Sequence, residues 1–243
     1  MTFIRLNKYL ASMGITSRRK IDELISQKSI FINSEPAELG DKVNPDTDTI
    51  TVDKKIIPPH PTELVYYLLN KPKYVLSSSS DDRGRDTVLN YVPKDPRVFA
   101  VGRLDYESTG LILLTNDGDL SLKLTHPRYH LPKTYLLTFV GRITPDKIDQ
   151  LRRGLILDDL PTGRQAEKTA PADVEILPPK LNQGQMNITL YEGKKRQIRR
   201  MCTVLHLHPV DLHRQSLGPL TLGTLAPGKY RSLTTDEIKA LKI

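Results

Sequence analysis

Three stretches of the chain bring together residue types that can do chemistry. In "GRLDYESTGLILLTNDGDL", Gly102 to Leu120, the charged residues Arg103, Asp105 and Glu107 alternate ahead of an apolar run. Side chains alternate along an extended backbone, so these three would share one face. Two carboxylates on one face suit glycoside chemistry. The same alternation also makes a plain surface charge ladder, and the pattern alone leaves both readings open. A phosphate-cradling loop is a poor alternative, because Gly102 and Gly110 stand eight apart and no Gly-Lys-Ser/Thr follows.

The second stretch, "EGKKRQIRRMC", packs Lys194, Lys195, Arg196, Arg199 and Arg200 around Gln197 and Ile198. If helical from about Arg196, it turns Ile198 and Cys202, four apart, toward the core and leaves Arg199 beside that face. An arginine at a core boundary needs an acceptor, and Asp105 is an acid otherwise without a partner. Lys194, Lys195 and Arg196 can all face solvent, where phosphate contact is the simplest reading. In the third stretch, "HPRYHLPKTYLLTF", Tyr135 opens an apolar strand; it is either a core residue or a stacking surface for an unstacked base.

Other chemistries find little support. Cys202 is the only cysteine, which excludes an intramolecular disulfide and a cysteine-rich zinc site; on a helix it reads as a buried, inert thiol. His126 and His130 are four apart, but the prolines around them predict a loop rather than a metal-binding helix, so no metal is expected. A net charge of +8 fits a polyanionic partner, nucleic acid first, or ordinary solubility charge.

The elements that must position these residues fall into two groups. In the first, Leu6, Tyr9, Leu10 and Met13 recur at helical spacing and Gly14 follows where a C-terminal cap belongs. Ser17 then stands as N-cap ahead of Ile21, Leu24 and Ile25, giving a short helical hairpin. The β patterns "SIFIN" and "TITVD" come next. Arg18, Arg19 and Lys20 occupy the first turn of the second helix, where the helix dipole disfavours cations, so a phosphate-facing role is the stronger reading. "KKIIPPHPTE", Lys54 to Glu63, reads as a linker or extended crossover.

In the second group, "LVYYLLNKP", "LILLT", "YLLTFVGRI", "ADVEIL" and "MNITLYEG" are expected as strands, and "DLSLKLTH", "PDKIDQLRRGL" and "KKRQIRRMCTVLHL" as helices. Strands outnumber helices and several are joined by short turns, so the fold class is α+β with a largely antiparallel central sheet. The 18 prolines agree with many short elements. No segment is apolar for long enough to span a bilayer, and the N-terminus lacks the uninterrupted apolar core of a signal peptide, so a soluble, cytoplasmic protein is expected.

"RLNKYLASMGITSRRKIDELI" resembles the ribosomal S-four-type RNA-binding domain, although Lys28 and Ser34 stand where that module usually has glycines. The resemblance implies that Arg5, Lys8, Arg18, Arg19 and Lys20 contact structured RNA, mainly through phosphates. "GRLDYESTGLILLTNDGDL", "HPRYHLPKTY", "EGKKRQIRRM" and "LHRQSLGPLTLGTLAPGKYRSLT" are similar to the RsuA/RluB family of ribosomal RNA pseudouridine synthases, as are "LNKP" and "DDRGRDTVLNYVP". Tyr74 and Leu207 replace glycines usual in that family. The implied organisation is an RNA-binding domain at 1–57, a linker at 58–63 and a catalytic domain at 64–243.

That family resemblance implies Asp105 as the catalytic residue, Arg199 as its partner and Tyr135 against the target base. It places Arg103 and Thr109 at the loop and the flanking backbone, while the charge of Lys194, Lys195, Arg196 and Arg200 marks them as RNA-binding residues. The implied reaction detaches uracil from ribose and rejoins it through carbon, with no cofactor and no metal. The partner is ribosomal RNA or an assembly particle, the large subunit favoured over the small, and the enzyme a monomer. A non-catalytic RNA-binding assembly factor is the rival reading. A glycoside hydrolase fits poorly with a chain that has no tryptophan for sugar stacking.

Overall fold

The computed structural model describes residues 3–58, 63–157 and 166–242. The chain divides into two compact units. One is Met1–Val65 with Lys94–Val98 and Asn116–Gly118; the other is Tyr66–Pro93, Phe99–Thr115 and Asp119–Ile243.

In the first unit, β1 (Ile4–Arg5) leads into α1 (Leu6–Ser12), and α2 (Arg18–Ser26) follows. Gly14 has φ +77, and Ser17 caps α2, its side chain accepting from the Lys20 N–H, as the spacing predicts. Leu6, Tyr9, Leu10, Ile21 and Ile25 are buried together with Ile30 and Ile50. The strands are β2 (Ile30–Ile32), β3 (Glu35–Pro36), β4 (Lys42–Val43), β5 (Ile50–Val52) and β6 (Lys55–Ile57). β4 pairs with β1, and the others form a sheet in the order β3-β2-β5-β6. The expected linker therefore begins later than its composition suggests: Lys55–Ile57 is a strand because it pairs in register with Ile50–Val52. Residues 59–62 of that segment lie outside the described residues.

The second unit is built on a mixed sheet. Its strands are β7 (Tyr66–Lys71), β8 (Phe99–Val101), β9 (Thr109–Thr115), β10 (Lys133–Val140), β13 (Asp173–Lys180), β14 (Gln183–Leu190), β15 (His208–Leu217), β16 (Leu220–Thr221) and β17 (Tyr230–Ser232). The order is β13-β14-β10-β15-β9-β7-β17, with β16 beside β15 and β8 beside β9. A short pair, β11 (Ile156–Leu157) and β12 (Glu167–Lys168), stands apart. Every pairing in the large sheet is antiparallel except β15 with β9, which is parallel and registers His213 with Thr109 and Arg214 with Gly110. At this seam a side chain on residue 110 would overlap the Arg214 backbone, and φ there is +102, so glycine is required twice over.

Helices cover the sheet. Leu120 and Leu124 of α3 (Gly118–Thr125) and Leu241 of α6 (Thr235–Lys242) join Leu68, Leu111 and Leu113 in one core. Leu151 of α4 (Pro145–Arg153) and Ile198, Met201 and Cys202 of α5 (Gln197–Val204) join Leu137, Met186 and Ile188 in another. β7 is buried along its whole length, and β9 from Gly110 onward. Both therefore read as continuous apolar runs rather than alternating ones. β15 was not foreseen as a strand, nor was α6 as a helix. Lys28, Ser34 and Tyr74 all keep positive φ (+55, +73 and +63), so the turns survive the loss of glycine.

Candidate active site

Asp105 lies in a loop braced on three sides. On its N-terminal side, the Leu104 N–H donates to Ser77 Oγ at 3.0 Å and the Ser77 hydroxyl donates back to the Leu104 carbonyl at 2.8 Å. Leu104 itself is buried, which fixes the approach. On the other side, the Ser108 N–H closes a turn onto the Asp105 carbonyl at 3.0 Å. Beneath, Lys71 is fully buried and its ammonium donates to the carbonyls of Pro72 at 2.9 Å and Ser108 at 2.8 Å, with that of Tyr106 at 3.5 Å. Burial pulls the Lys71 pKa down to about 8, and the Asp105 charge opposes that shift.

This corrects the expectation of an extended face. Arg103 to Ser108 is a loop with a turn, and Asp105 and Glu107 converge because the turn brings them round. Both face Arg199 of α5: Nε lies 4.0 Å from Asp105 Oδ2 and Nη1 3.4 Å from Glu107 Oε2. The Arg199 side chain is only 11% exposed, and its Nε has no hydrogen-bond partner among the described residues, so at 4.0 Å the link to Asp105 is coulombic. Asp105 supplies the opposite charge expected beside Arg199, and Glu107 supplies a second one not foreseen.

Asp105 opens into a cleft of about 360 Å³, a volume suited to a small organic group. Tyr135, near the start of β10, is half-buried on its wall, and Arg103, Lys195 and Arg196 line it as well. Arg199 does not line it, although its Nε lies 4.0 Å from Asp105. Three further cations line the cleft: Lys194; Lys133, whose pKa is lowered by burial and by nearby Arg214; and Arg214, buried with Nε donating to the Leu111 carbonyl at 2.7 Å. Lys71, Lys133 and Arg214 were all missed as site builders. Each stood inside a quoted motif, and the usable signal was a cation embedded among residues destined for the core. Thr109 bonds His213 Nδ1 through its hydroxyl at 2.8 Å, so it ties β9 to β15.

The Lys194–Arg200 cluster is less free than its sequence suggests. Lys195 and Arg196 are exposed, but Lys194 is held by Glu167 at 3.3 Å and Glu192 at 3.4 Å. Arg200 is buried and pairs with Glu167 at 2.7 Å. Its hydrogen bond is the main reason that the Glu167 carboxyl sits below its ordinary pKa. Expecting phosphate contact from Arg200 is therefore corrected: its charge points into the protein. The Cys202 thiol is buried and its pKa is pushed up to about 12, an inert group as anticipated.

In the other unit, Arg5, Lys8, Arg18, Arg19 and Lys20 are all exposed. Arg18 donates to Asn7 Oδ1 at 3.2 Å, and Lys20 pairs with Glu23 at 2.8 Å in full solvent. His126 and His130 flank a short helical turn, Pro127–Tyr129, in a loop. Among the described residues no helix is long and apolar enough to cross a membrane.

Comparison with known proteins agrees with this geometry. Residues 65–203 match the RNA pseudouridylate synthase family, and residues 4–48 match the S4 domain. The chain is 37% identical to the ribosomal large subunit pseudouridine synthase B of Bacillus subtilis, over 98% of this chain and 95% of that one. It is also 37% identical to the dual-specificity RNA pseudouridine synthase RluF of Escherichia coli, over 97% and 77%. A crystal structure of a pseudouridylate synthase superposes with a TM-score of 0.68 at 30% identity, covering 98% of this chain and 99% of the other. The chain thus belongs to the RNA pseudouridine synthases, with an S4 domain at its N-terminus.

Proposed function

We propose that this enzyme isomerises a specific uridine of large-subunit ribosomal RNA, with Asp105 as the catalytic carboxylate. The observation that carries the reading is the position of Asp105, braced from both sides on the cleft lining, with Arg199 4.0 Å away and Tyr135 on the cleft wall. Similarity along the whole length to a large-subunit synthase supports the choice of RNA.

The reaction breaks the bond from uracil N1 to ribose C1′ and forms one from C5 to C1′; N1 takes up a proton, and the C5 proton passes to solvent. A carboxylate is anionic at neutral pH without activation, so it can add to the detached or attached ring, or assist cleavage at the sugar. Arg199 sets a guanidinium 4.0 Å from that carboxylate. Tyr135 offers a ring for the flipped base to lie against. Flipping costs a few kcal/mol, roughly, and less for an unpaired base, so a loop or bulge is the target. Exchange within one nucleotide consumes no redox equivalent and no donor group.

Residues 1–57 act as the RNA-binding domain and 64–243 as the catalytic domain. Arg5, Lys8, Arg18, Arg19, Lys20, Arg103, Lys195 and Arg196 take the phosphates. The enzyme works as a monomer in the cytoplasm on ribosomal RNA or an assembly particle. The test is tritium release from protein-free large- and small-subunit RNA labelled at uracil C5, with wild type beside Asp105→Asn. Release from the large-subunit RNA by wild type alone is expected. Release from small-subunit RNA only would overturn the choice of substrate, and release by Asp105→Asn would overturn the catalytic assignment.

A further inference from the structure

Beside the cleft two aromatic rings stand uncovered. Tyr74 is 63% exposed and Tyr106 is 39% exposed, and their ring centroids are 5.6 Å apart with the planes tilted by 58°. Tyr106 directly follows Asp105. Tyr74 is held at φ +63, the left-handed region that a bulky side chain rarely adopts. Strain of this kind persists only where the surroundings impose it, and here they are visible. The Tyr74 N–H donates to the Tyr106 carbonyl at 2.7 Å. The buried Lys71 ammonium reaches the carbonyls of Pro72 and Ser108, on either side of the two rings' backbone.

Two loops distant in sequence are thus locked together, and what they present is a pair of rings that contribute little to the core. Two nearby cations are already engaged: Lys73 with Asp211 at 2.7 Å and Arg85 with Asp81 at 2.6 Å. A flat, uncharged partner is what such a surface lacks. Turning one base out of an RNA stack into the cleft leaves its neighbours without a stacking partner. Aromatic side chains replace that partner regardless of base identity.

We propose that Tyr74 and Tyr106 form a stacking subsite for a nucleobase next to the target uridine. The inference rests on the function proposed above, since it takes Asp105 as the place to which the uridine is delivered.

The chain has no tryptophan, so Tyr74→Trp creates a single fluorescent reporter at the subsite. Titration with single-stranded oligouridylate should quench it, whereas an abasic ribose-phosphate oligomer of equal length and charge should not. In the tritium assay, Tyr74→Gly should raise KM by about 5- to 100-fold with kcat within about twofold. Tyr74→Phe should restore KM. Glycine accepts φ +63 freely, so Tyr74→Gly should melt no lower than wild type, which separates the effect from misfolding. Equal quenching by both oligomers, absence of quenching, or an unchanged KM in Tyr74→Gly/Tyr106→Ala would each overturn the subsite. Quenching does not depend on turnover, so quenching without tritium release would count against the proposed substrate and leave the subsite standing.

Discussion

The two basic segments of this chain, Arg5–Lys20 and Lys194–Arg200, look alike in composition and differ in company. In the first, the cations are exposed on or beside a short helical hairpin, and the Lys20–Glu23 ion pair is itself exposed. Such a pair contributes little, and it leaves Lys20 available to a polyanion. In the second, acids from other parts of the chain intervene. Glu167 and Glu192 hold Lys194, Glu167 takes Arg200, and Asp105 and Glu107 face Arg199. Only Lys195 and Arg196 of that segment are exposed. Charge density alone therefore does not identify a nucleic-acid surface; what matters is which acids the fold brings alongside.

The sharpest way to break the comparison is at Asp105. Asp105→Asn should lower the rate of tritium release by on the order of 10³-fold or more, while filter-binding affinity for RNA stays within about twofold of wild type. A large loss of affinity instead would make this acid an organiser of the surface and not of the chemistry. Next comes the N-terminal hairpin. Arg18→Ala/Arg19→Ala/Lys20→Ala should reduce the slope of log affinity against log salt by about 2, roughly 0.7 for each phosphate released. Its melting temperature should match that of wild type, because no core contact is lost.

A smaller effect is expected at Arg200, and it should have the opposite character. Arg200→Leu should lower the melting temperature by several degrees, roughly, because Glu167 loses its closest partner beside a buried site. The salt slope should not move, and a change like that of the hairpin variant would return Arg200 to the RNA surface. The smallest effect concerns Lys71. With a pKa of about 8 when folded and an ordinary value of 10.5 when unfolded, it binds fewer protons folded than unfolded between those limits. Its contribution to stability should therefore rise as pH increases from about 8 to 10.5. The melting temperature of wild type relative to Lys71→Met, scanned by calorimetry across that range, reads this directly.

Much of the fold could be read from the chain, and the exceptions share a cause. β7, β9 and α5 declare themselves through apolar runs or periodicity because their burial is nearly complete on the faces that count. β15 carries "HPVDLHRQSL", which alternates poorly because His213 bonds Thr109 and Arg214 is spent on the cleft and the Leu111 carbonyl. A strand that helps build a site looks like a loop when read alone. The pairing of Arg199 with Asp105 was accessible from the need of an arginine at a core boundary for an opposite charge. That of Arg200 with Glu167 was not, since nothing local to β12 announces a buried partner 33 residues away.

The parallel seam between β9 and β15 has a consequence for how the protein comes into being. Thr109 and His213 meet across 104 residues, so closing the seam carries a high loop-closure entropy and belongs among the slow steps of folding. Asp105, Tyr135 and Arg199 all precede β15 in the chain, yet the cleft that Asp105 and Tyr135 line is also lined by Leu212, Arg214 and Leu217 of that strand. A nascent chain emerging from the ribosome thus carries all three residues before it carries the strand that seats them. Synthesis must pass Leu217 before the enzyme can begin to act on RNA.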